Sequence, residues 1–311
     1  MSYTVTLSLV LAALYGLASL LLSLLVAGGW RAGLARRRST SPELLALRLL
    51  PSAGAAFVTL GIVLPAFLSR EPHGEAERAG PLLVALALLA LGAVAHGTVR
   101  GWRAWAATRA LLRGCGPAHR LSVLPGGTVD LVDVAEPLAA VVGAWRPRVL
   151  AARCLRAACS DEEFREIIAH EAAHLAAHDN WKLLLVLMTP DALAWTPTDA
   201  ALAQRWRAAA ELEADARASG SDPSKRVALA AALIKAARLS SSAPRSGALA
   251  MQVVVDDVQG RVRRLLAPAP AAARRFPLKA LIGCALMIAV LAVPLYGRVQ
   301  ELVESLVAWG R

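Results

Sequence analysis

The sequence predicts a mainly α, α+β protein. Four transmembrane helices carry a cytoplasmic domain, a small β-sheet plus helices, inserted between the third helix and the fourth. Three observations predict this. Apolar residues make up 57% of the 311 and the mean hydropathy is +0.50, a membrane composition. Long uncharged runs end in arginine clusters, and those clusters fall on alternate connections. Between the third and fourth runs, residues 100–275 carry mixed strand and helix patterning and are numerous enough for a core of their own.

The membrane region is predicted over residues 1–99, with spans at about 5–27, 49–68 and 81–99. Val5 to Ala27 is free of charge and long enough for a hydrocarbon core of about 30 Å. No basic segment precedes it, so it reads as a span and not as a signal peptide. Arg31 and Arg36 to Arg38 follow, which makes that loop cytoplasmic and the N-terminus extracytoplasmic. Leu49 to Leu68 returns outward, with Pro51 and Pro65 as tolerated breaks, into a loop holding Glu71, Glu75 and Glu77. Pro81 to Val99 leads back in, ending in Arg100, Arg103, Arg109 and Arg113 with Trp102 and Trp105 at the interface. Arg274, Arg275 and Lys279 announce a fourth span over 276–296, leaving 297–311 as a short extracytoplasmic tail. The net charge of +11 thus belongs to membrane boundaries. With few aromatics to stack bases and no nucleic-acid motif, direct nucleic-acid binding is not expected. Cys115, Cys154, Cys159 and Cys284 lack metal or disulfide spacing and read as reduced thiols.

In the inserted domain, Leu121 to Val134 reads as a hairpin around Pro125-Gly126-Gly127. Leu138 to Ala144 and Val149 to Ala152 read as two further strands. Ser160 and Glu163 form a capping box for a helix running from Asp161 to about His178. The apolar run Leu183 to Trp195, broken by Thr189-Pro190-Asp191, is too short to span and reads as a core helix or one resting on the membrane face. A long helix carries Glu211 and Asp215, Asp222-Pro223 starts another that reaches about Leu239, and Gln252 to Leu266 is charged and helical.

The chemistry sits on the helix after Ser160, where His170, Glu171 and His174 form H-E-x-x-H. Residues four apart share one helix face, so both imidazoles can reach a single zinc ion, while Glu171, about 100° around, stands beside it as a general base. A catalytic zinc takes three protein ligands. Glu211 can be the third, and Asp215, one turn on, can accept a hydrogen bond from the outer nitrogen of a liganding histidine. Zn2+ is therefore the expected cofactor, in a gluzincin-like metallopeptidase domain. Oxyanion or substrate contacts could come from His178, Asn180, Arg207 or Arg217, because the only tyrosines, Tyr3, Tyr15 and Tyr296, lie in or near spans. The strand Leu138, Ala139, Ala140, Val141, Val142, Gly143 and Ala144 is apolar enough to be a sheet edge beside the site, where a substrate could add as a further strand.

These features resemble the BlaR/MecR-type antirepressor integral-membrane zinc metallopeptidases, over most of Leu138 to Ser219. AAVVGAWRPRVLAA is similar to the family's strand entry through Gly143, Trp145 and Pro147. SDEEFREIIAHEAAHLAAHDNW is similar to its zinc helix and ELEAD to its third-ligand motif. The resemblance implies a protease of the bacterial inner membrane that acts in signal transduction by cleaving a DNA-binding repressor or another regulator, with self-cleavage left open. Fifteen residues follow the fourth span, so the C-terminal penicillin-binding sensor domain is expected to be lacking. Any signal would then enter through the loops, the spans, a homo-oligomer or a separate sensor partner. The zinc motif is also similar to that of HtpX and CAAX-processing proteases, which implies the alternative of membrane-protein quality control or processing. A non-catalytic membrane signalling scaffold with structural zinc is a third reading. Glu171 argues against it, since a purely structural site has no use for a base.

Overall fold

The computed structural model describes residues 3–33, 40–65, 68, 80–116, 118–124, 127–241 and 258–267. The expected fourth span at 276–296, the tail 297–311 and most of the acidic loop lie outside the described residues. The described chain is mainly helical with one small mixed sheet. The described residues within 1–99 and 186–206 form one compact unit, and those within 100–185 and 207–274 a second. Segment 186–206, which the sequence leaves inside the inserted domain, groups with the first unit.

Among the described residues three helices are long and apolar enough to cross a membrane, Thr4–Arg31, Ser41–Val63 and Pro81–Gly114. They correspond to α1 (Tyr3–Arg31), α2 (Ser41–Ala56, continued as a π-helix over Phe57–Val63) and α3 (Pro81–Gly114). In the first unit, Val10 and Ala13 of α1 pack on Leu83, Leu86 and Ala87 of α3. Gly16 permits that approach, since any Cβ there would run into the Leu86 carbonyl.

α2 begins eight residues before the predicted span. Glu43 Oε2 accepts from the Thr40 amide (2.9 Å), which caps the helix start. This brings Arg48 inside the helix, 1% exposed, a charge the hydropathy pattern excludes from a span. The charge is tolerated because it is paired. Arg48 Nη1 donates to Asp191 (2.8 Å) and Nε to Asp199, while Ser52 Oγ also donates to Asp191 (2.7 Å). The same turn is held by Tyr15 Oη, which donates to the Pro190 carbonyl (2.9 Å). These bonds explain why 186–206 groups with the membrane helices.

In the second unit the sheet comprises β1 (His119–Leu124), β2 (Gly127–Val132), β3 (Ala139–Val142) and β4 (Arg148–Ala152) in the order β1-β2-β4-β3. β1 and β2 form the predicted antiparallel hairpin, β2 and β4 run parallel, and β3 pairs antiparallel with β4 at the edge. Both faces are covered. Val129, Ala139, Val141, Val149 and Ala151 face a core with Phe164, Ile167 and Ile168. Val132, Ala140, Val142 and Leu150 face Cys115 and Leu111. Double burial explains why β3 reads as a continuous apolar run.

The helices that follow are α4 (Arg153–Ala158), α5 (Asp161–Ala177), α6 (Asp179–Met188), a 3-10 turn (Ala192–Trp195), α7 (Pro197–Ser219), α8 (Pro223–Ser241) and α9 (Val258–Leu266). α5 and α8 start on local caps, and α9 is held by packing. Ser160 Oγ accepts from the Glu163 amide (3.2 Å) and Glu163 Oε2 accepts from the Ser160 amide (2.7 Å), which starts α5. Asp222 Oδ1 accepts from the Ser224 amide (2.9 Å) at the start of α8. α9 lays Val258 and Leu265 on Leu229, Ala230 and Leu233 of α8.

Candidate active site

α5 presents the site because its first two turns are anchored. Phe164, Ile167 and Ile168 pack on the sheet, and Lys235 of α8 donates to Glu163 (2.6 Å) at its first turn. The helix stops at His178, which takes left-handed backbone (φ 58°) so that α6 can leave at once with Asp179. On the buried face, His170, Glu171 and His174 are 4%, 5% and 5% exposed.

The two Nε2 atoms of His170 and His174 stand 3.1 Å apart. Glu211 of α7 faces both, Oε2 at 3.3 Å from His170 Nε2 and Oε1 at 3.4 Å from His174 Nε2. One ligand atom from each of the three lies within 4.8 Å of the others. Two imidazoles and a carboxylate, their ligand atoms turned toward one another, suit zinc by donor chemistry.

Each outer imidazole nitrogen meets a carboxylate. Asp215 Oδ1 is 2.9 Å from His170 Nδ1, and Asp179 Oδ2 is 2.8 Å from His174 Nδ1. Each carboxylate in turn meets a cation. Lys182 Nζ donates to Asp179 (2.8 Å), while Arg261 of α9 forks onto Asp215 through Nε (2.8 Å) and Nη2 (2.6 Å). Arg261 also places Nη1 at 2.8 Å from Glu211 Oε2. Sequence reasoning missed Arg261, and it placed Asp179 in the zinc-helix motif without giving it a contact to His174. The available signal for Arg261 was its position between Val258, Val262 and Leu265, an arginine within an apolar helical stripe.

Burial disfavours charge on both histidines, but the carboxylates outweigh it. Asp179 and Glu211 push His174 up to about 10, and Asp215 and Glu211 raise His170. Burial would raise Glu211, yet the histidines and Arg261 hold it well below the usual carboxylate range. Protons thus compete with a metal for His174. Metal affinity is expected to climb with pH up to about 10, where that proton leaves. Asp179→Asn removes the negative charge that raises His174. It should flatten the climb and lower affinity about 10–100-fold at its alkaline end. Competitive chelator titration across pH measures both.

Glu171 is placed as a base. Its Oε2 accepts from the Val141 amide of β3 (3.1 Å), which fixes the carboxylate beside the three ligands. Burial raises its pKa, with His170 and His174 opposing.

The other candidates fall around this centre. Asn180 Nδ2 donates to the Val141 and Gly143 carbonyls (2.9 Å each), clamping the outer edge of β3. Gly143 is at φ +94°, where a side chain would be strained, which accounts for the glycine before Trp145. His178 is an exposed helix cap whose Nδ1 lies 3.1 Å from the Ala176 carbonyl. Arg217 is exposed and reaches Glu213 (3.4 Å). Arg207, half-buried one turn before Glu211, has its pKa lowered by burial and by Arg100. Of the predicted edge segment Leu138–Ala144, residues Ala139–Val142 form the strand, at the sheet edge and buried.

A helix-borne histidine pair, a carboxylate from a second helix and a neighbouring free carboxylate together characterise a membrane-associated metallopeptidase when three apolar helices accompany them. The chain belongs to the BlaR1 peptidase M56 family, whose family model matches residues 84–265. No curated protein matches it.

Proposed function

We propose that the protein is a zinc endopeptidase of the bacterial inner membrane. Its peptidase unit faces the cytoplasm and cuts a transcriptional repressor or another regulator in signal transduction. The observation that carries this reading is the convergence of His170, His174 and Glu211 with the Glu171 carboxylate held alongside. Arg36 to Arg38 after the first apolar helix, and Arg100, Arg103, Arg109 and Arg113 in the C-terminal half of the third, support the cytoplasmic side. When bound, zinc would acidify the attacking water and polarise the scissile carbonyl. Glu171 takes the water's proton at a carboxylate oxygen and delivers it to the leaving amine nitrogen, so it ends the cycle as it began. Asp215 and Asp179 hold the imidazoles with their Nε2 atoms inward, and the Val141 amide keeps Glu171 from turning away. Substrate adds alongside β3, the Val141 and Gly143 carbonyls changing partner from Asn180 to substrate amides.

The test is the full chain reconstituted in lipid. Chelation should abolish cleavage, and one equivalent of zinc should restore it; cleavage that persists without metal would refute the reading. A Glu171→Gln bait in cells should then retain a soluble regulator, whereas retention of damaged membrane proteins would assign the chain to quality control.

A further inference from the structure

We propose that residues 186–196 form a re-entrant hairpin seated in the bilayer, whose outward side chains, Met188 and Trp195, meet lipid acyl chains. This rests on the three apolar helices crossing the membrane and not on the peptidase chemistry. Residues 183–199 contain two charges, Asp191 and Asp199, and Arg48 pairs with both. The run is too short to span, and it turns back at Thr189-Pro190-Asp191.

Its contacts with α1 and α3 fix its depth. The Pro190 carbonyl accepts from Tyr15 Oη (2.9 Å), and the Ala192 amide donates to Ser19 Oγ (3.4 Å). Measured along α1 from Ala27, the inner end of the charge-free run, Tyr15 lies roughly 18 Å in and Ser19 roughly 12 Å. On α3, the Met188 carbonyl lies against Gly97, where any Cβ would run into it, and the Trp195 ring reaches Gly92 and stands 6.0 Å from the His96 ring. Gly92 is roughly 10 Å in from Val99 by the same measure. The tip at Pro190 therefore reaches the middle of a hydrocarbon core about 30 Å thick.

A turn at that depth survives only where its polar groups find partners within the protein. Besides the two bonds to α1, Thr189 Oγ1 donates to the Val186 carbonyl (2.9 Å), Asp191 Oδ1 accepts from the Ala194 amide (3.2 Å) and Thr196 Oγ1 donates to the Leu193 carbonyl (2.8 Å). Asp191 Oδ2 has Arg48 and Ser52. The apolar side chains divide into two sets. Val186, Ala192 and Leu193 are buried, whereas Met188 and Trp195 are 46% and 47% exposed. Between the depths of Gly97 and Gly92 an exposed thioether and indole meet acyl chains and not water. α7, which bears Glu211, follows the hairpin directly and so starts within the bilayer.

The experiment uses the full chain in vesicles of phosphatidylethanolamine and phosphatidylglycerol, with Cys115, Cys154, Cys159 and Cys284 replaced by alanine. A nitroxide is attached through Met188→Cys, and reference labels through Leu91→Cys on the exposed face of α3 and Arg217→Cys on the peptidase unit. Accessibility to oxygen relative to a water-soluble nickel chelate should be alike at Met188 and Leu91. At both it should exceed that at Arg217 by at least about 10-fold, because hydrocarbon excludes the polar chelate. A Met188 label open to the chelate, or closed to both probes, would overturn the hairpin while leaving the spans in place. A Leu91 label as open to the chelate as Arg217 would overturn the membrane reading of α3 and the hairpin with it. If the cysteine-free chain does not fold, wild type and Trp195→Phe in vesicles of acyl-brominated lipid give a second readout. The emission lost with Trp195 should be quenched by bromine and untouched by aqueous iodide; the reverse would overturn the proposal.

Discussion

Glu171→Gln is expected to keep the full complement of metal while losing about 10²–10⁴-fold in kcat, the usual worth of a general base. The amide has nearly the shape of the carboxylate and still offers an oxygen to the Val141 amide, so the bond from β3 survives. The three ligand atoms belong to His170, His174 and Glu211, and none is altered. What disappears is a group able to take a proton beside those ligands. KM should change little, because the loss falls on the transition state and not on ground-state binding. Metal analysis and steady-state kinetics on the same preparation decide the matter. A variant that hydrolyses at the wild-type rate would remove Glu171 from its role, and one that loses metal would show it to be a ligand.

The parts of this site that could be read from sequence are those in which geometry follows from spacing along one helix. His170 and His174 share a face because they are four apart, and so do Glu211 and Asp215. The Ser160–Glu163 box and the β1–β2 hairpin were legible for the same local reason. The unread parts depend on partners far along the chain. Arg48 looks like the end of a span until Asp191 and Asp199, more than 140 residues away, are seen to neutralise it. Asp179 has no legible partner until α6 leaves α5 at the angle that brings its carboxylate back onto His174. Asn180 offers a donor to anything nearby, and only the fold shows that β3 receives it. Charge position along a chain says where a charge is costly, but not which distant residue offsets the cost.

Arg261 is the extreme case, 46 residues from Asp215, and its replacement should have a correspondingly large effect. Its side chain is 4% exposed and that of Asp215 5%, with Glu211 at 21%. Arg261→Gln would leave two neighbouring carboxylates largely out of water with their cation gone. Breaking a buried pair from one side costs about 3–5 kcal/mol. The peptidase unit should therefore melt well below wild type when a chelator is present. Zinc offers those carboxylates a positive charge again, so adding it should stabilise Arg261→Gln more than wild type. Adding Asp215→Asn to the variant should recover part of the loss, since the double change removes one of the stranded charges. Thermal unfolding of the four proteins of this cycle, each with and without zinc, gives the coupling directly. Equal losses with and without metal, or strictly additive effects of the two substitutions, would mean that Arg261 only packs against the site and does not balance its charge.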